Sequence, residues 1–119
     1  MEVPVTVKEI EYVPKWNDNA TAAEPVQVTL RYLNTSQRST LLPWQADGKG
    51  NVTLVPDYPN LIPAAVVKVT GLWQTIDGER REVKNGRDIM QGYGFDALVL
   101  ELTSKIIEMN PRASIEKNS

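Results

Sequence analysis

Three carboxylates that lie close together in the chain are the first candidates for chemistry: Asp77, Glu79 and Glu82. Paired carboxylates can act as general acid and base, and they can also bind a divalent cation. Basic residues alternate with them around an Asp-Gly dipeptide. That alternation is more typical of a solvated, charged hairpin than of a reactive site. We favour the charged hairpin, and a small carboxylate-dependent enzyme stays open as an alternative.

The basic residues of the same stretch raise the question of phosphate binding. Arg80, Arg81, Lys84 and Arg87 are interleaved with acids, so the local charge is close to neutral. The formal net charge of the chain is −2. Proteins that bind nucleic acid usually carry a basic field, because neutralising phosphates supplies much of their affinity. We therefore expect no nucleic-acid partner.

Other catalytic patterns are incomplete or absent from the sequence. The Gly92-Tyr93-Gly94 segment is only a fragment of a glycine-rich phosphate loop, which needs a third glycine and a preceding strand. The chain contains no Cys and no His, so thiolate nucleophiles, zinc-finger ligands and imidazole bases are excluded. We expect no catalytic residue, no metal site and no cofactor, and we expect that the protein is not an enzyme.

The length of the chain and its apolar content bound its organisation. With 119 residues, of which 41% are hydrophobic, it is expected to form one domain. We expect this α+β domain to span residues 1–110, with a flexible polar tail at 111–119. The uninterrupted apolar stretches are only a few residues long, so no membrane-spanning segment is predicted.

The first half of the chain predicts an antiparallel sheet. Val3–Val13 is a candidate strand in which the apolar parity switches near Lys8, and this switch indicates a bulge or bend. Val26–Leu33 alternates most clearly and is expected to pair with the first strand as a hairpin. Val52–Val55 is expected to add a third strand and to complete a small meander.

The middle of the chain predicts short elements separated by turns. Asn60 is expected to cap a short helix that passes into an extended piece and ends at Gly71. The Asp77-Gly78 dipeptide predicts a β-hairpin turn. Asn85 is expected to cap a short helix that runs through Met90.

The last element is predicted to be an amphipathic helix over 96–109. Glu101 and Lys105 have the spacing of a favourable ion pair on one helix face, and Asn110-Pro111 predicts the end of the helix. Apolar residues recur at helical spacing and form one stripe, which by default packs against the sheet. Its width also favours docking or self-association: Phe95, Val99, Leu102, Ile106 and Met109.

The tryptophans, Trp16, Trp44 and Trp73, lie in or beside predicted loops. Each could seal the edge of a small core or anchor a protein interface, where Trp is over-represented. Trp16 is the strongest interface candidate because a polar Asn-Asp-Asn segment follows it. Our candidate protein-binding residues are these three tryptophans and four members of the helix stripe: Val99, Leu102, Ile106 and Met109.

The layout as a whole resembles tail assembly chaperones of tailed bacteriophages and neighbouring minor structural proteins. The resemblance is carried by Tyr12-Val13-Pro14-Lys15-Trp16-Asn17-Asp18-Asn19, by Val26-Gln27-Val28-Thr29-Leu30-Arg31-Tyr32-Leu33, by Val66-Val67-Lys68-Val69-Thr70-Gly71-Leu72, and by the closing helix from Leu98 to Asn110. These motifs are loose and apolar, and no single residue is diagnostic. The chain departs from the typical pattern in its greater β content.

The resemblance implies a non-enzymatic role in phage morphogenesis. A tail assembly chaperone would bind the tape-measure protein or other tail components through apolar surface, often as a homo-oligomer, in the cytoplasm of an infected bacterial host. The larger β content leaves a structural virion subunit open, such as a neck, tail-completion or decoration protein.

Overall fold

The computed structural model describes residues 1–111 and shows a mixed α+β fold in which strands come first and a long helix comes last. Of the tail predicted at 111–119, all but Pro111 lies outside the described residues. The elements follow one another along the chain as β1 (Glu9–Tyr12), a 3-10 segment (Trp16–Thr21), β2 (Gln27–Arg31), α1 (Thr35–Leu41), β3 (Trp44–Ala46), β4 (Val52–Leu54), α2 (Tyr58–Ala65), β5 (Val66–Thr70), β6 (Leu72–Ile76), β7 (Glu79–Val83), α3 (Gly86–Gln91) and α4 (Asp96–Met109).

The main sheet has three antiparallel strands in the order β1-β2-β5. Val28 on the central strand lies opposite Tyr12 on β1 and opposite Val69 on β5. The predicted pairing of the first two strands is confirmed, but β1 is shorter than expected and begins at Glu9, beside the switch in apolar parity. The apolar side chains of β2 face the core because the strand alternates, and Val28 and Leu30 are fully buried.

The prediction that residues 52–55 form the third strand of the first sheet was wrong. Val52–Leu54 does not join the main sheet; it pairs with Trp44–Ala46 in a separate two-stranded sheet. The third strand of the main sheet is instead Val66–Thr70, which the sequence indicated only as an extended piece after a helix. Gly71, with a φ of 82°, follows this strand as expected.

Asparagine side chains cap two of the short helices. Asn34 forms a reciprocal capping box with Gln37 and starts α1, a helix that the sequence analysis did not predict. Asn85 caps α3 as predicted, since its side chain accepts a hydrogen bond from the Asp88 backbone N–H. The predicted cap at Asn60 was wrong, because α2 begins after Asp57 and Asn60 lies inside the helix.

Helix α4 closes the core by packing against α2 and the 3-10 segment. Its predicted span, 96–109, is confirmed. Buried side chains from β2, α2, β5, α3 and α4 make one continuous apolar cluster, to which β7 adds Val83. No helix in the described part of the chain is both long enough and apolar enough to cross a membrane.

Candidate functional site

The apolar stripe of α4 is directed into the protein's own core. Leu102 and Ile106 are fully buried, and Met109 is 8% exposed. These three candidate binding residues therefore hold α4 in place and do not form an exposed surface in this structure. The physical reason is that α4 closes the core against α2 and the 3-10 segment, so its widest apolar face is used inside the domain.

The outer side of the same helix carries a small exposed apolar area. Val99 is half-buried and the neighbouring Leu100 is 56% exposed. With Tyr58, Met90 and Asp96 they line a shallow groove of about 290 Å³ between α2, α3 and α4. Of the four stripe residues named as binding candidates, Val99 is therefore the one that lines this groove on the outer side of the helix.

Trp16 is part of the core boundary. Its ring is half-buried and packs edge-on against Phe95, with 5.8 Å between ring centroids. The buried Asn19 side chain holds the loop beneath it by donating to the carbonyls of Pro14 and Val26 and by accepting from the Val26 N–H. The polar segment after Trp16, which suggested an interface, is thus partly a structural clamp.

Trp44 is also half-buried, and it lies in β3 opposite Leu54. An Asp47-centred turn closes this small sheet, because the Asp47 carboxylate accepts hydrogen bonds from the backbone N–H groups of Lys49 and Asn51. The Asn51 side chain adds a third bond. Together with the Lys49 N–H, this bond holds the pKa of Asp47 below its ordinary value. Trp44 therefore sits at the base of a well-defined turn.

Trp73 differs from the other two tryptophans because its indole is 45% exposed. The Arg80 guanidinium lies over the ring, 3.9 Å from its centroid. A cation–π contact at such an exposed site contributes about 0.5–1 kcal/mol and fixes the orientation of both side chains. Trp73 and Arg80 lie on neighbouring strands of the β6–β7 hairpin, which packs mainly against itself and reaches the core through its base, at Leu72 and Val83.

A second exposed aromatic residue lies beside this hairpin and was not among the predicted binding residues. Tyr93 is 70% exposed, and its backbone is held by Gln74 on β6. The Gln74 amide donates to the Tyr93 carbonyl at 2.6 Å and accepts from the Tyr93 N–H at 3.0 Å. The available signal was the Gly92-Tyr93-Gly94 triplet, which indicates a joint that presents its central side chain. We define the hairpin surface as Trp73 and Arg80, which share one face of the hairpin. Gln74 and Ile76 lie on the opposite face, because successive side chains of a strand alternate, and Tyr93 lies beside Gln74.

The three candidate carboxylates are spread along the same hairpin. Asp77 is in the turn, with a φ of 50°, Glu79 lies opposite Ile76, and Glu82 lies opposite Trp73. The predicted hairpin turn is confirmed. No cluster of three or more acidic side chains suited to a metal ion occurs within residues 1–111.

The basic residues of this stretch do not converge on one point either. Arg80 stacks on Trp73, whereas Arg81 donates to the backbone carbonyl of Asp88 at 3.2 Å. The Asp88 carboxylate in turn accepts from the Lys84 backbone N–H. The Arg81 and Lys84 contacts join the hairpin to α3. The guanidinium groups of Arg80 and Arg81 bind different partners and do not form one basic site.

The first eight residues form a further exposed apolar feature. Val3, Val5 and Val7 are 72%, 78% and 57% exposed. Their alternation predicted that they belong to the first strand, but residues 1–8 have no regular secondary structure. We refer to residues 1–8 as the N-terminal segment. The alternation of its valines is visible in the sequence, but alternation alone does not show whether the valine side chains are buried or exposed.

Comparison with known protein families, curated proteins and solved structures gives no match to this chain. The bacteriophage resemblance therefore has only the sequence segments quoted above as its basis.

Proposed function

We propose that this chain is a non-enzymatic binding protein whose main partner site is the hairpin surface. The observation that carries the proposal is the exposed Trp73 indole, clamped by Arg80 on a hairpin that stands away from the core. The core does not use this large aromatic side chain, so its surface is available to a partner.

The chemistry of this surface suits a protein partner. Trp, Tyr and Arg are the residues most enriched among those that dominate binding energy at protein interfaces. The Arg80 contact holds the Trp73 and Arg80 side chains in place before binding, which lowers the entropy lost on association. The partner would present apolar surface to the indole and a carbonyl or carboxylate to the Arg80 guanidinium.

Within this class, the specific role that we propose is bacteriophage morphogenesis as a tail assembly chaperone. The phage context is supported by the sequence resemblance alone. In this role the chain would act in the cytoplasm of an infected bacterial host, with the tape-measure protein or another tail component as partner, and would assemble as a homo-oligomer. Reversible burial of partner apolar surface against the hairpin would keep that partner soluble before assembly.

A permanent virion subunit is the second candidate, and the exposed N-terminal segment favours it. Segments that carry unburied apolar side chains outside their own domain are suited to lasting contacts with neighbouring subunits. Mass spectrometry of purified particles separates the two roles. A structural subunit is expected in fixed copy number, whereas a chaperone is expected to be scarce or missing.

The decisive experiment is co-expression of the tagged chain with the tail proteins encoded beside it, followed by affinity measurement on the purified pair. Trp73→Ala and Arg80→Ala are expected to weaken binding by about tenfold or more, as for interface hot spots. Val55→Ala, at an exposed valine after β4, is the matched control and should bind normally. Equal affinity of Trp73→Ala and the parent chain for the partner would refute the hairpin site. If the gene that encodes this chain lies far from any capsid or tail gene, the phage role is refuted.

A further inference from the structure

The N-terminal segment carries an apolar pattern that the domain does not use. Its valines at positions 3, 5 and 7 alternate with Pro4, Thr6 and Lys8, so in an extended conformation they share one face. All eight residues are exposed. Val5, Thr6 and Val7 line one side of a groove next to Tyr32 and Met109, yet the valine side chains stay in solvent. Alternating, unburied valines are the pattern of a strand that lacks its partner.

The segment leads directly into a strand edge that is open. The Lys8 carbonyl accepts a hydrogen bond from the Tyr32 N–H at 3.2 Å, so the even-numbered residues of β1 direct their backbone groups toward β2. The odd-numbered residues, such as Glu9, then direct their backbone groups to the outer edge. Within residues 1–111, no strand pairs with that edge. An open edge is a ready template for pairing with another chain.

A second copy of this chain can pair with this edge, and one pairing register is more favourable than the adjacent register. Antiparallel pairing of two identical segments about a two-fold axis at Val5 places Val3 of each copy opposite Val7 of the other. The same register places Glu2 opposite Lys8, so opposite charges face each other on both sides of the axis. Moving the axis to Thr6 places Val3 opposite Glu9 and Glu2 opposite Ile10. Each of these pairs sets an apolar side chain against a carboxylate, so neither is favourable.

Pro4 is compatible with this arrangement. A proline lacks the N–H that a strand needs for its ladder, so it is tolerated only where that position faces away from the partner. Pro4 is even-numbered, and continuation of the β1 pattern directs its missing N–H away from the outer edge. The outer edge of residues 3–7 thus keeps the hydrogen-bonding groups of Val3, Val5 and Val7.

We infer that the N-terminal segments of two copies pair as an antiparallel β-ribbon centred on Val5 and so form a symmetric dimer. The ribbon brings three valines from each copy into cross-strand contact along one face and extends the main sheets of the two domains toward each other. This inference concerns contacts between copies of the chain, and it stands whether or not the proposed role in tail assembly holds.

Sedimentation equilibrium of the full chain over a concentration series tests the dimer. Val5→Lys places two like charges on the axis and is expected to raise the dimer dissociation constant by about tenfold or more. Glu2→Lys and Lys8→Glu should each weaken the dimer, and the double variant should restore it because the charge pair is reversed. Val55→Lys, outside the segment, should leave the dimer unchanged. These side chains are exposed, so folding is expected to be retained and is checked by thermal melting.

Cysteine cross-linking tests the register, since the natural chain has no Cys. In the hydrogen-bonded pairs of an antiparallel ladder the Cα atoms lie about 5.5 Å apart, within the range that a disulfide bridges. Val5→Cys should cross-link to itself on mild oxidation. Val3→Cys should cross-link to Val7→Cys in a mixture and not to itself, and Val55→Cys serves as the control for random collision. A chain that stays monomeric at all concentrations, or a dimer indifferent to Val5→Lys, would overturn the inference, and cross-linking of Val3→Cys to itself would overturn the register.

Discussion

The hydroxyl of Tyr12 donates a hydrogen bond of 2.6 Å to the carboxylate of Glu101, which lies 89 positions later in the chain. The same carboxylate oxygen accepts the Lys15 backbone N–H at 2.7 Å. One side chain on α4 thereby holds both the end of the edge strand β1 and the start of the 3-10 segment. The helix pair expected from spacing, Glu101 with Lys105, does not form, and Lys105 pairs with Glu108 instead.

Removing this carboxylate is expected to loosen β1 from α4. Glu101→Gln weakens two charge-assisted hydrogen bonds, and we expect the free energy of unfolding to fall by about 1.5–3 kcal/mol. Urea denaturation monitored by circular dichroism measures the change. Glu108→Gln removes only an exposed ion pair on the same helix and should change stability by less than about 0.5 kcal/mol. Equal effects of the two variants would contradict the assigned role of Glu101.

The same contact predicts a loss of stability at alkaline pH. Partial burial, the hydrogen bond to Glu101 and the charge of Glu101 raise the pKa of Tyr12 from 10.0 to about 12. The folded state therefore holds this proton more tightly than the unfolded state. The stabilisation is fully present below pH 10 and is lost as the pH rises toward 12.

Ultraviolet titration of the phenolate band checks this prediction. The titration should contain a late phase that belongs to Tyr12, and Tyr12→Phe should remove this phase and flatten the decline of unfolding free energy in that pH range. Tyr93→Phe is the matched control, because its side chain is 70% exposed. A late phase that survives in Tyr12→Phe would assign the shifted pKa to another tyrosine.

Local signals in the sequence identified much of this fold. The alternation at Val26–Leu33, the Asp77-Gly78 turn, the cap at Asn85 and the stripe of α4 each depend on neighbours a few positions away, and all four are confirmed. Helix α1 was missed although Asn34 and Gln37 have capping-box spacing, because a short polar helix shows almost no apolar periodicity.

The errors come from contacts between distant parts of the chain. Nothing local shows that β2 takes Val66–Thr70 as its neighbour in preference to Val52–Leu54. The candidate site shows the same limit. The sequence ranked Trp16 above Trp73 as an interface candidate, and only the fold places the Trp16 ring against Phe95 and the Trp73 ring under a guanidinium in solvent.

Asn110, which is 1% exposed, is expected to be a major determinant of stability at the end of α4. Its side-chain oxygen accepts the Leu33 N–H, and its amide donates to the Ile106 carbonyl. Asn110→Ala leaves a buried N–H without a partner, so the free energy of unfolding should fall by about 1–3 kcal/mol. Asn60→Ala, which removes an exposed bond to Asp57, is the control and should cost about 0.5 kcal/mol or less. Comparable losses in chemical denaturation would show that Leu33 finds another acceptor.

Gly86 is expected to tolerate no side chain, because α2 and α3 meet there. A Cβ at this position would lie 2.2 Å from the Ile62 carbonyl oxygen, which is backbone and cannot rotate away. Gly86→Ala must push the two helices apart, at a cost of about 3 kcal/mol, the upper end for overpacking. Gln91→Ala, on the exposed side of α3, should change stability by less than about 0.5 kcal/mol. A melting temperature of Gly86→Ala equal to that of the parent chain would show that the helices separate easily.

Neighbouring positions of α4 are expected to separate core from surface. Leu102 is fully buried, and Leu102→Ala should lower the free energy of unfolding by about 2–5 kcal/mol through lost burial and the cavity left behind. Leu100 is 56% exposed, and Leu100→Ala should cost less than about 0.5 kcal/mol.

Ile106→Asp would bury a charge and is expected to unfold the domain, because native stability is only about 5–15 kcal/mol. Loss of partner binding by Ile106→Asp therefore reports loss of the fold, whereas loss by Leu100→Asp with an unchanged melting temperature would assign the groove beside Val99 to the interface. If the Leu102→Ala variant is as stable as the parent chain, the conclusion that Leu102 packs α4 into the core is contradicted.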